Sequence, residues 1–331
     1  MMKNILMVGL GSMGRRRIRL VKGILGDEAN IWGVDMNEDR RRNVAEEYGI
    51  TAAESLTNVL KEVKIDASFV STSPLAHGKI ITEILDQGVP VFSELNLVAT
   101  DYDKNIALAK ERGTTLFMSS TMMYRKEMQY IIQATKTSEK PLHYLYHVGQ
   151  YLPDWHPWDK LEDFFVSKKE TNGVREILVV EVPWLLEAFG NVRRVSAVRD
   201  KLTALPLDYE DSYLILLDHE GGHKGVLACD VVSREAVRDF TVYGEDLYIH
   251  WGGTAASLSR KNLRTKEMDE IDLYKNERVS HQEGYSNILI ENAYEEEIRN
   301  YFAVIEGKAQ PLYSFEKDKD IIHLIDEIEE M

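Results

Sequence analysis

Residues 5–14 read Ile-Leu-Met-Val-Gly-Leu-Gly-Ser-Met-Gly, and this stretch decides the fold of the first part of the chain. An apolar run ends in Gly9, Gly11 and Gly14 at the spacing G-x-G-x-x-G, and a helical pattern follows over residues 15–25. In the context of strand, loop and helix, these glycines give a tight turn, close approach of a pyrophosphate and close helix packing. The helix N-terminus then faces the anion. We therefore predict dinucleotide contacts at Gly9, Gly11, Ser12, Met13 and Gly14.

An acidic residue stands where a ribose-binding carboxylate is expected. Asp35 follows the next apolar run, 31–34, and lies 35 − 14 = 21 residues after Gly14. A carboxylate there accepts hydrogen bonds from a ribose diol and repels a 2′-phosphate, which favours NAD over NADP. Arg40 and Arg41 keep NADP open as the alternative.

The length and composition indicate a globular protein of two domains. The chain has 331 residues, of which 44% are hydrophobic and 29% charged. The formal net charge of −15 opposes binding to nucleic acid or to anionic membranes. Cys229 is the only cysteine, so we expect no disulfide within the chain and no metal site. We expect a cytoplasmic protein, because the sequence shows no signal peptide and no apolar run that could span a bilayer.

The first third of the chain alternates apolar strands with amphipathic helices. Such alternation predicts an α/β fold with a doubly wound parallel sheet covered on both faces. Residues 1–121 are therefore predicted to form a Rossmann-like NAD(P)-binding domain. Further predicted helices lie at 38–48, 55–63, 75–87 and 102–112, and predicted strands at 67–70, 89–92 and 115–118.

From about Thr121 the pattern changes. A helix at 126–137 is followed by strand-like runs without intervening helices, and Glu220-Gly221-Gly222-His223 is a hairpin signal. Residues 122–331 are therefore predicted to form an α+β domain with a mostly antiparallel sheet, which binds substrate and mediates oligomerisation. Predicted strands lie at 142–150, 192–205, 211–218, 224–233, 238–243 and 246–251, and two acidic helices with solvated charged faces lie at 290–306 and 317–330.

The order of these motifs resembles the Gfo/Idh/MocA family of NAD(P)-dependent oxidoreductases. The glycine loop is followed by Ser71-Thr72-Ser73-Pro74, then by a strand that ends in Ser93-Glu94. Residues 151–158, Tyr-Leu-Pro-Asp-Trp-His-Pro-Trp, are similar to members that act in sugar and surface-glycan metabolism. The resemblance implies a homo-oligomer, either a dimer or a tetramer. It also implies that Glu94 flanks the nicotinamide, and that the dinucleotide is contacted by Thr72, Ser73, Pro74, His77 and Glu94.

The chain departs from this family at the proton-handling positions. The family's Glu-Lys-Pro is Glu94-Leu95-Asn96 here, so the lysine that polarises the substrate oxygen is replaced by leucine. In the second signature the acidic residue is Glu176, but Val180 stands at the histidine and Pro183 at the aspartate. Both usual proton-handling groups are therefore missing.

Another residue must then exchange the proton, a role that contributes about 10² to 10⁴ in rate. Glu181 lies in the apolar run 177–184, where burial suits it to acid–base work, or it forms a structural ion pair with an arginine. Glu176 is either a proton carrier or a carboxylate at a helix start. His156 lies in an aromatic loop that either stacks on a sugar or packs at the domain junction. The catalytic candidates are Glu94, Glu181, Glu176, His156 and Tyr151.

Two groups of basic residues have alternative interpretations. Arg15, Arg16 and Arg17 open the first helix and either reach a cofactor phosphate or form a solvated face. Lys168, Lys169 and Arg175 either bind a substrate phosphate or carboxylate or are solvated surface charges.

The sequence thus predicts an NAD(P)-dependent oxidoreductase that acts on a sugar or nucleotide-sugar. One alternative is a protein that keeps the fold for ligand sensing or partner binding, since Leu95, Val180 and Pro183 replace reactive groups. Another is elimination or epimerisation on a bound cofactor.

Overall fold

The computed structural model describes residues 2–155, 160–161, 164–281 and 288–331. The chain divides into two compact units, and each is made of two separate segments. The first unit comprises Met1–Ser120 and Tyr294–Asp320, and the second comprises Thr121–Ala293 and Ile321–Met331. The division into 1–121 and 122–331 stays a prediction. No helix among the described residues is both long and apolar enough to cross a bilayer.

The first unit contains a parallel sheet of six strands in the order β3-β2-β1-β4-β5-β6. The last four residues of β1 and all four of β4 are buried, and all but Ser68 are apolar, as expected for a parallel sheet with both faces covered. This arrangement confirms the predicted doubly wound fold. The strands are β1 Lys3–Val8, β2 Ala29–Val34, β3 Thr51–Ala53, β4 Ala67–Val70, β5 Val91–Ser93 and β6 Leu116–Met118.

Local capping groups explain where the helices of this unit begin and end. The Asn37 side chain accepts a hydrogen bond from the Arg40 amide at 2.9 Å, which caps the second helix, and Gly49 ends that helix at φ 60°. Pro74 opens the fourth helix, where a missing N–H costs nothing. The helices are α1 Ser12–Leu25, α2 Glu38–Tyr48, α3 Leu56–Glu62, α4 Pro74–Asp86 and α5 Tyr102–Arg112.

The second unit contains a sheet of eight strands in the order β14-β13-β12-β11-β7-β10-β9-β8. All its neighbouring strands pair antiparallel except β7 and β10, so the predicted mostly antiparallel sheet is confirmed. Its elements are α6 Lys126–Lys136, β7 His143–Gly149, α7 Gly173–Phe189, β8 Val192–Asp200, β9 Ser212–His219, β10 Lys224–Asp230, β11 Val237–Tyr243, β12 Tyr248–Trp251, β13 Leu258–Lys261 and β14 Met268–Glu270.

Helix α7 has 17 residues, whereas the sequence indicated a helix start at Glu176 only as one alternative and predicted no helix bounds there. The run is apolar on nearly every side, so it lacks the one-sided periodicity of a surface helix, and Pro183 lies inside it. The helix forms because it is buried on most of its surface and because the Asn172 side chain accepts from the Arg175 amide at 2.7 Å.

Two closing helices, α8 Glu291–Ile305 and α9 Phe315–Glu330, each pass from one unit to the other. In the first unit, Tyr301 of α8 packs between Phe69, Phe92 and Phe117, with ring centroids at 5.3 to 5.4 Å. Not all acidic residues of these helices are solvated as the sequence predicted, since Glu297 is fully buried and Asp318 is 2% exposed.

Asp318 accepts hydrogen bonds from the hydroxyls of Tyr102 at 2.5 Å and Tyr313 at 2.9 Å. Burial raises the pKa of Asp318 from its ordinary 3.8 to about 7, although the two tyrosine hydrogen bonds oppose that shift. The folded protein therefore binds this proton more tightly than the unfolded chain does.

We expect Asp318 to make the protein less stable as the pH rises. Its contribution is present below about pH 4 and is lost as the pH passes through about 7. In the Asp318→Asn variant, the free energy of unfolding should therefore fall less between these pH values than in wild type. Urea unfolding at a series of pH values measures this, with Asp103→Asn as the exposed control; equal pH slopes in wild type and Asp318→Asn would contradict it.

Candidate functional site

The glycine loop between β1 and α1 leaves no room for side chains at two positions. Gly9 has φ 93°, and a Cβ on it would lie 2.5 Å from the Ser71 carbonyl oxygen. A Cβ on Gly14 would lie 1.9 Å from the Gly9 carbonyl oxygen. The Gly9 amide also donates to the Val34 carbonyl at 2.8 Å. The loop is therefore held against the carboxyl ends of β1, β2 and β4.

The same loop has open space and unused polar groups that fit a dinucleotide phosphate. No atom lies within 4 Å of a Cβ built on Gly11. Helix α1 begins with no side-chain cap and no acidic residue in its first turn, so its N-terminal amides can face an anion. Ser71 lies against the loop, and its buried hydroxyl has no hydrogen-bond partner in the described part of the chain.

Asp35 lies at the end of β2, beside the loop. Its Oδ2 accepts from the Leu10 amide at 2.8 Å and its Oδ1 from the Asn37 amide at 2.8 Å. The Arg40 guanidinium is 3.9 Å from Oδ2, and Arg41 donates to the Asp35 carbonyl at 2.7 Å. These contacts fix the carboxylate, and each oxygen keeps a lone pair that can accept from a ribose hydroxyl.

The segment after β4 carries Thr72, Ser73 and Pro74, and α4 carries His77. The His77 ring is 2% exposed; its Nε2 lies 2.9 Å from the Thr72 carbonyl and its Nδ1 lies 2.6 Å from the Asn96 side-chain amide. Burial lowers the pKa of His77. The ring thus links the loop after β4 to the loop after β5, where Asn96 lies.

Glu94 follows β5 and is 6% exposed. The Arg17 guanidinium of α1 donates through Nε to Glu94 Oε1 at 2.5 Å and through Nη2 to Glu297 Oε2 at 2.8 Å. Arg17 is fully buried, so neither a phosphate contact nor a solvated face describes it. Sequence reasoning missed Glu297, because 280 residues separate it from Arg17. Arg15, in contrast, is partly exposed and pairs with Glu47 at 3.1 Å.

In the second unit, both carboxylate oxygens of Glu181 in α7 accept hydrogen bonds from protein groups. Its Oε2 accepts from the Tyr146 hydroxyl at 2.7 Å and from the Trp184 Nε1 at 2.8 Å. Its Oε1 accepts from the Arg238 Nε at 2.8 Å. With its side chain fully buried, Glu181 has the geometry of a structural ion pair with an arginine.

Glu176 lies in the first turn of the same helix and has a different environment. It is half-buried overall, but its Oε2 is buried and has no hydrogen-bond partner within the described residues. Burial raises the pKa of Glu176 from 4.5 to about 8. Val180, one turn further on, is half-buried, and Pro183 is buried.

The loop after β7 holds the other candidates. Tyr151 is half-buried, its amide donates to the Ser233 carbonyl at 2.6 Å, and its ring lies under the Arg234 guanidinium at 4.0 Å. His156 lies outside the described residues. Arg175 pairs with Asp326 at 2.6 Å and Glu329 at 2.5 Å, which occupies its guanidinium. Lys168 lies between two short helical turns before α7, and Lys169 begins the second of them.

Comparison with known proteins supports this fold. Three similar solved structures match this chain over nearly their full length. The oxidoreductase from Agrobacterium radiobacter in complex with NAD+, L-tartaric acid and magnesium is 13% identical, with a TM-score of 0.81 over 98% of this chain and 95% of that one. The WlbA dehydrogenase from Bordetella pertussis in complex with NADH and UDP-GlcNAcA is 17% identical, with a TM-score of 0.77 over 99% and 95%. UDP-N-acetylglucosamine 3-dehydrogenase GnnA from Acidithiobacillus ferrooxidans is 18% identical, with a TM-score of 0.76 over 99% and 97%.

At these identities the structural likeness shows the fold. No curated protein matches the sequence. The family model described as oxidoreductase family, NAD-binding Rossmann fold, matches residues 3–120, which contain the whole six-stranded sheet. Over these residues the chain is similar to the Gfo/Idh/MocA family of oxidoreductases.

Proposed function

We propose that the protein is an NAD(P)-dependent oxidoreductase that acts at a carbinol carbon of a sugar or nucleotide-sugar. The observation that carries this proposal is the glycine loop with open space at Gly11, an uncapped α1 and the fixed Asp35 carboxylate, in a domain of this family. The bound nicotinamide would accept or donate the hydride. Two structural relatives, WlbA with UDP-GlcNAcA and the UDP-N-acetylglucosamine 3-dehydrogenase GnnA, support a nucleotide-sugar as the substrate class.

The direct test is a screen of sugars and nucleotide-sugars with NAD and NADP, followed by nicotinamide absorbance. We expect turnover with at least one of them. A protein that binds neither NAD nor NADP in calorimetry would refute the proposal.

The proton of the substrate hydroxyl needs a carrier, and we assign it to Glu176. Leu95 and Val180 cannot exchange a proton, and both carboxylate oxygens of Glu181 already accept hydrogen bonds from protein groups. Glu176 is a carboxyl with an unpartnered oxygen and a pKa of about 8, so both of its protonation states are populated near neutral pH. Tyr151 and His156 remain the alternative carriers.

Replacing Glu176 should remove the proton transfer while leaving the cofactor bound. We expect Glu176→Gln to lower kcat by about 10² to 10⁴ and to abolish the change in kcat near pH 8, where the Glu176 carboxyl titrates. Steady-state kinetics as a function of pH measures both effects.

The matched control is Glu181→Gln, on the same helix. It leaves Arg238 without its buried carboxylate and should lower the melting temperature, but the pH dependence of kcat should persist in the folded protein. An unchanged kcat in Glu176→Gln would reject the assignment.

Asp35 should make the site prefer NAD. Because a 2′-phosphate next to this carboxylate is repelled, we expect NAD to bind at least about tenfold more tightly than NADP, or ~1.4 kcal/mol. Asp35→Asn should narrow that preference, and Arg40→Ala, which removes the cation at 3.9 Å, should widen it. Calorimetric titration with both dinucleotides measures the ratio; tighter NADP binding by wild type would contradict the expectation.

A second candidate function is binding without catalysis. The observation that favours it is Glu181, whose carboxylate is fully committed to Tyr146, Trp184 and Arg238, combined with apolar residues at positions 95 and 180. The substrate screen separates the two functions, because a sensing protein binds NAD but gives no absorbance change. Elimination or epimerisation on a bound cofactor would convert a sugar without net nicotinamide reduction.

We also propose that the protein forms a homo-oligomer, a dimer or a tetramer, through the open face of the eight-stranded sheet. On this face Leu145, Val226 and Leu216 stand next to one another across β7, β10 and β9. Each is 42% to 49% exposed, and Leu214 and Val198 extend the same apolar surface. A contiguous apolar patch on an ordered sheet is typical of a protein interface.

A charge in the centre of this face should separate the subunits. We expect Leu216→Arg to produce monomers, because an interface would have to bury the guanidinium without a partner. Size-exclusion chromatography with light scattering measures the mass. Leu202→Arg, at an exposed leucine outside the strands, is the control and should keep the oligomer. A monomeric wild type would contradict the proposal.

A further inference from the structure

We propose that Arg17 and Glu297 are positioning residues for Glu94, which hold one of its carboxylate oxygens and leave the other to the nicotinamide end of the cofactor. This inference rests on the proposed function, which requires a bound NAD(P), and on the expectation from the family resemblance that Glu94 flanks its nicotinamide. It assigns a role in the site to α1 and to α8, a helix that begins near residue 291.

The Arg17 guanidinium is divided between two carboxylates. Its Nε donates to Glu94 Oε1 at 2.5 Å, and its Nη2 donates to Glu297 Oε2 at 2.8 Å and to the Ser119 hydroxyl at 3.3 Å. Its carbon lies 4.5 Å from the centroid of the Phe92 ring, and the side chain is fully buried. A planar group with fixed donors and a ring against its face has little freedom to rotate.

Glu297 anchors the far side of this guanidinium. Its Oε1 accepts from the Ser120 amide at 2.7 Å and from the Ser119 hydroxyl at 3.0 Å. These contacts tie the carboxyl to the residues that follow β6, which is separated in the sheet by β4 and β5 from β1, the strand before the glycine loop. Glu297 is therefore fixed by the backbone, and it fixes Arg17 in turn.

The consequence for Glu94 is an asymmetry between its two oxygens. Oε1 accepts a hydrogen bond from Arg17, whereas Oε2 accepts none from any described residue. The Glu94 side chain is 8% exposed. An arginine that served only to neutralise Glu94 would satisfy both oxygens with its fork. Here the fork is shared with Glu297, so Glu94 keeps one acceptor for a ligand.

The arrangement also orients Glu94. The Arg17 guanidinium lies 2.5 Å from Oε1 and holds the carboxyl group in one position. An acceptor oxygen fixed in this way suits a hydroxyl or amide donor of the bound cofactor.

The test compares two ligands that differ only at the nicotinamide end, NAD and ADP-ribose. We expect Arg17→Lys to weaken NAD binding about tenfold or more, because one ammonium cannot replace both donors of the fork and a charge-assisted hydrogen bond is lost. ADP-ribose binding should change by less than about twofold, since its contacts lie at the glycine loop and Asp35. Calorimetry gives both dissociation constants without any turnover.

Two further variants test whether Arg17 acts through Glu94. Glu94→Gln should show the same selective loss of NAD affinity, and Arg17→Lys with Glu94→Gln should be no weaker than the stronger single variant. Glu297→Gln keeps an acceptor for Ser119 and Ser120 but gives Arg17 a weaker partner. If Arg17→Lys does not fold, Glu297→Gln replaces it in the comparison of NAD with ADP-ribose. Ile298→Val, a buried neighbour on α8, is the control for stability and should leave both affinities unchanged.

Equal weakening of NAD and ADP-ribose, or additive effects of Arg17→Lys and Glu94→Gln, would overturn the inference while the proposed function stands. Wild-type protein that binds both ligands equally would overturn it as well. If wild type binds neither ligand, the proposed function fails, and this inference fails with it.

Discussion

The close approach of the backbone at Gly9 and Gly14 is the constraint on which the first unit depends. A Cβ at Gly14 would lie 1.9 Å from the Gly9 carbonyl oxygen, so helix α1 can follow β1 at this distance only with glycine there. The approach fixes the N-terminus of α1 against the ends of three strands. It also fixes the direction of α1. Arg17 on this helix can therefore reach Glu94, which follows β5.

The sequence predicted elements best where their ends carry local chemical signals. Helices α2 and α5 and strand β4 have the predicted bounds, because a capping asparagine or a glycine with positive φ marks the helix ends. The short strands β3, β13 and β14 and the parallel pairing of β7 with β10 carry no such signal. Helix α7 has a capping Asn172 and a Gly190 with positive φ, but its run lacks one-sided periodicity and contains Pro183. Their existence depends on burial and on partners elsewhere in the chain.

The residues of the candidate site also differ in how well a single sequence predicts them. The glycine loop and Asp35 form a local motif, so a single sequence names them. The state of each carboxylate depends on partners that the sequence does not reveal: Arg238 lies 57 residues from Glu181, and Glu297 lies 280 residues from Arg17. Glu176 and Glu181 are five positions apart in one helix, yet one is paired and the other has an unpartnered oxygen.

The valine at position 180, one turn from Glu176, is consistent with this difference. Residues four apart on a helix face one another, so a histidine at the position of Val180 could donate to Glu176 or pair with it as a cation. Valine does neither, and among the described residues no donor reaches Glu176 Oε2. Burial then dominates and raises the pKa of Glu176 to about 8. A carboxyl in this environment can exchange a proton near neutral pH.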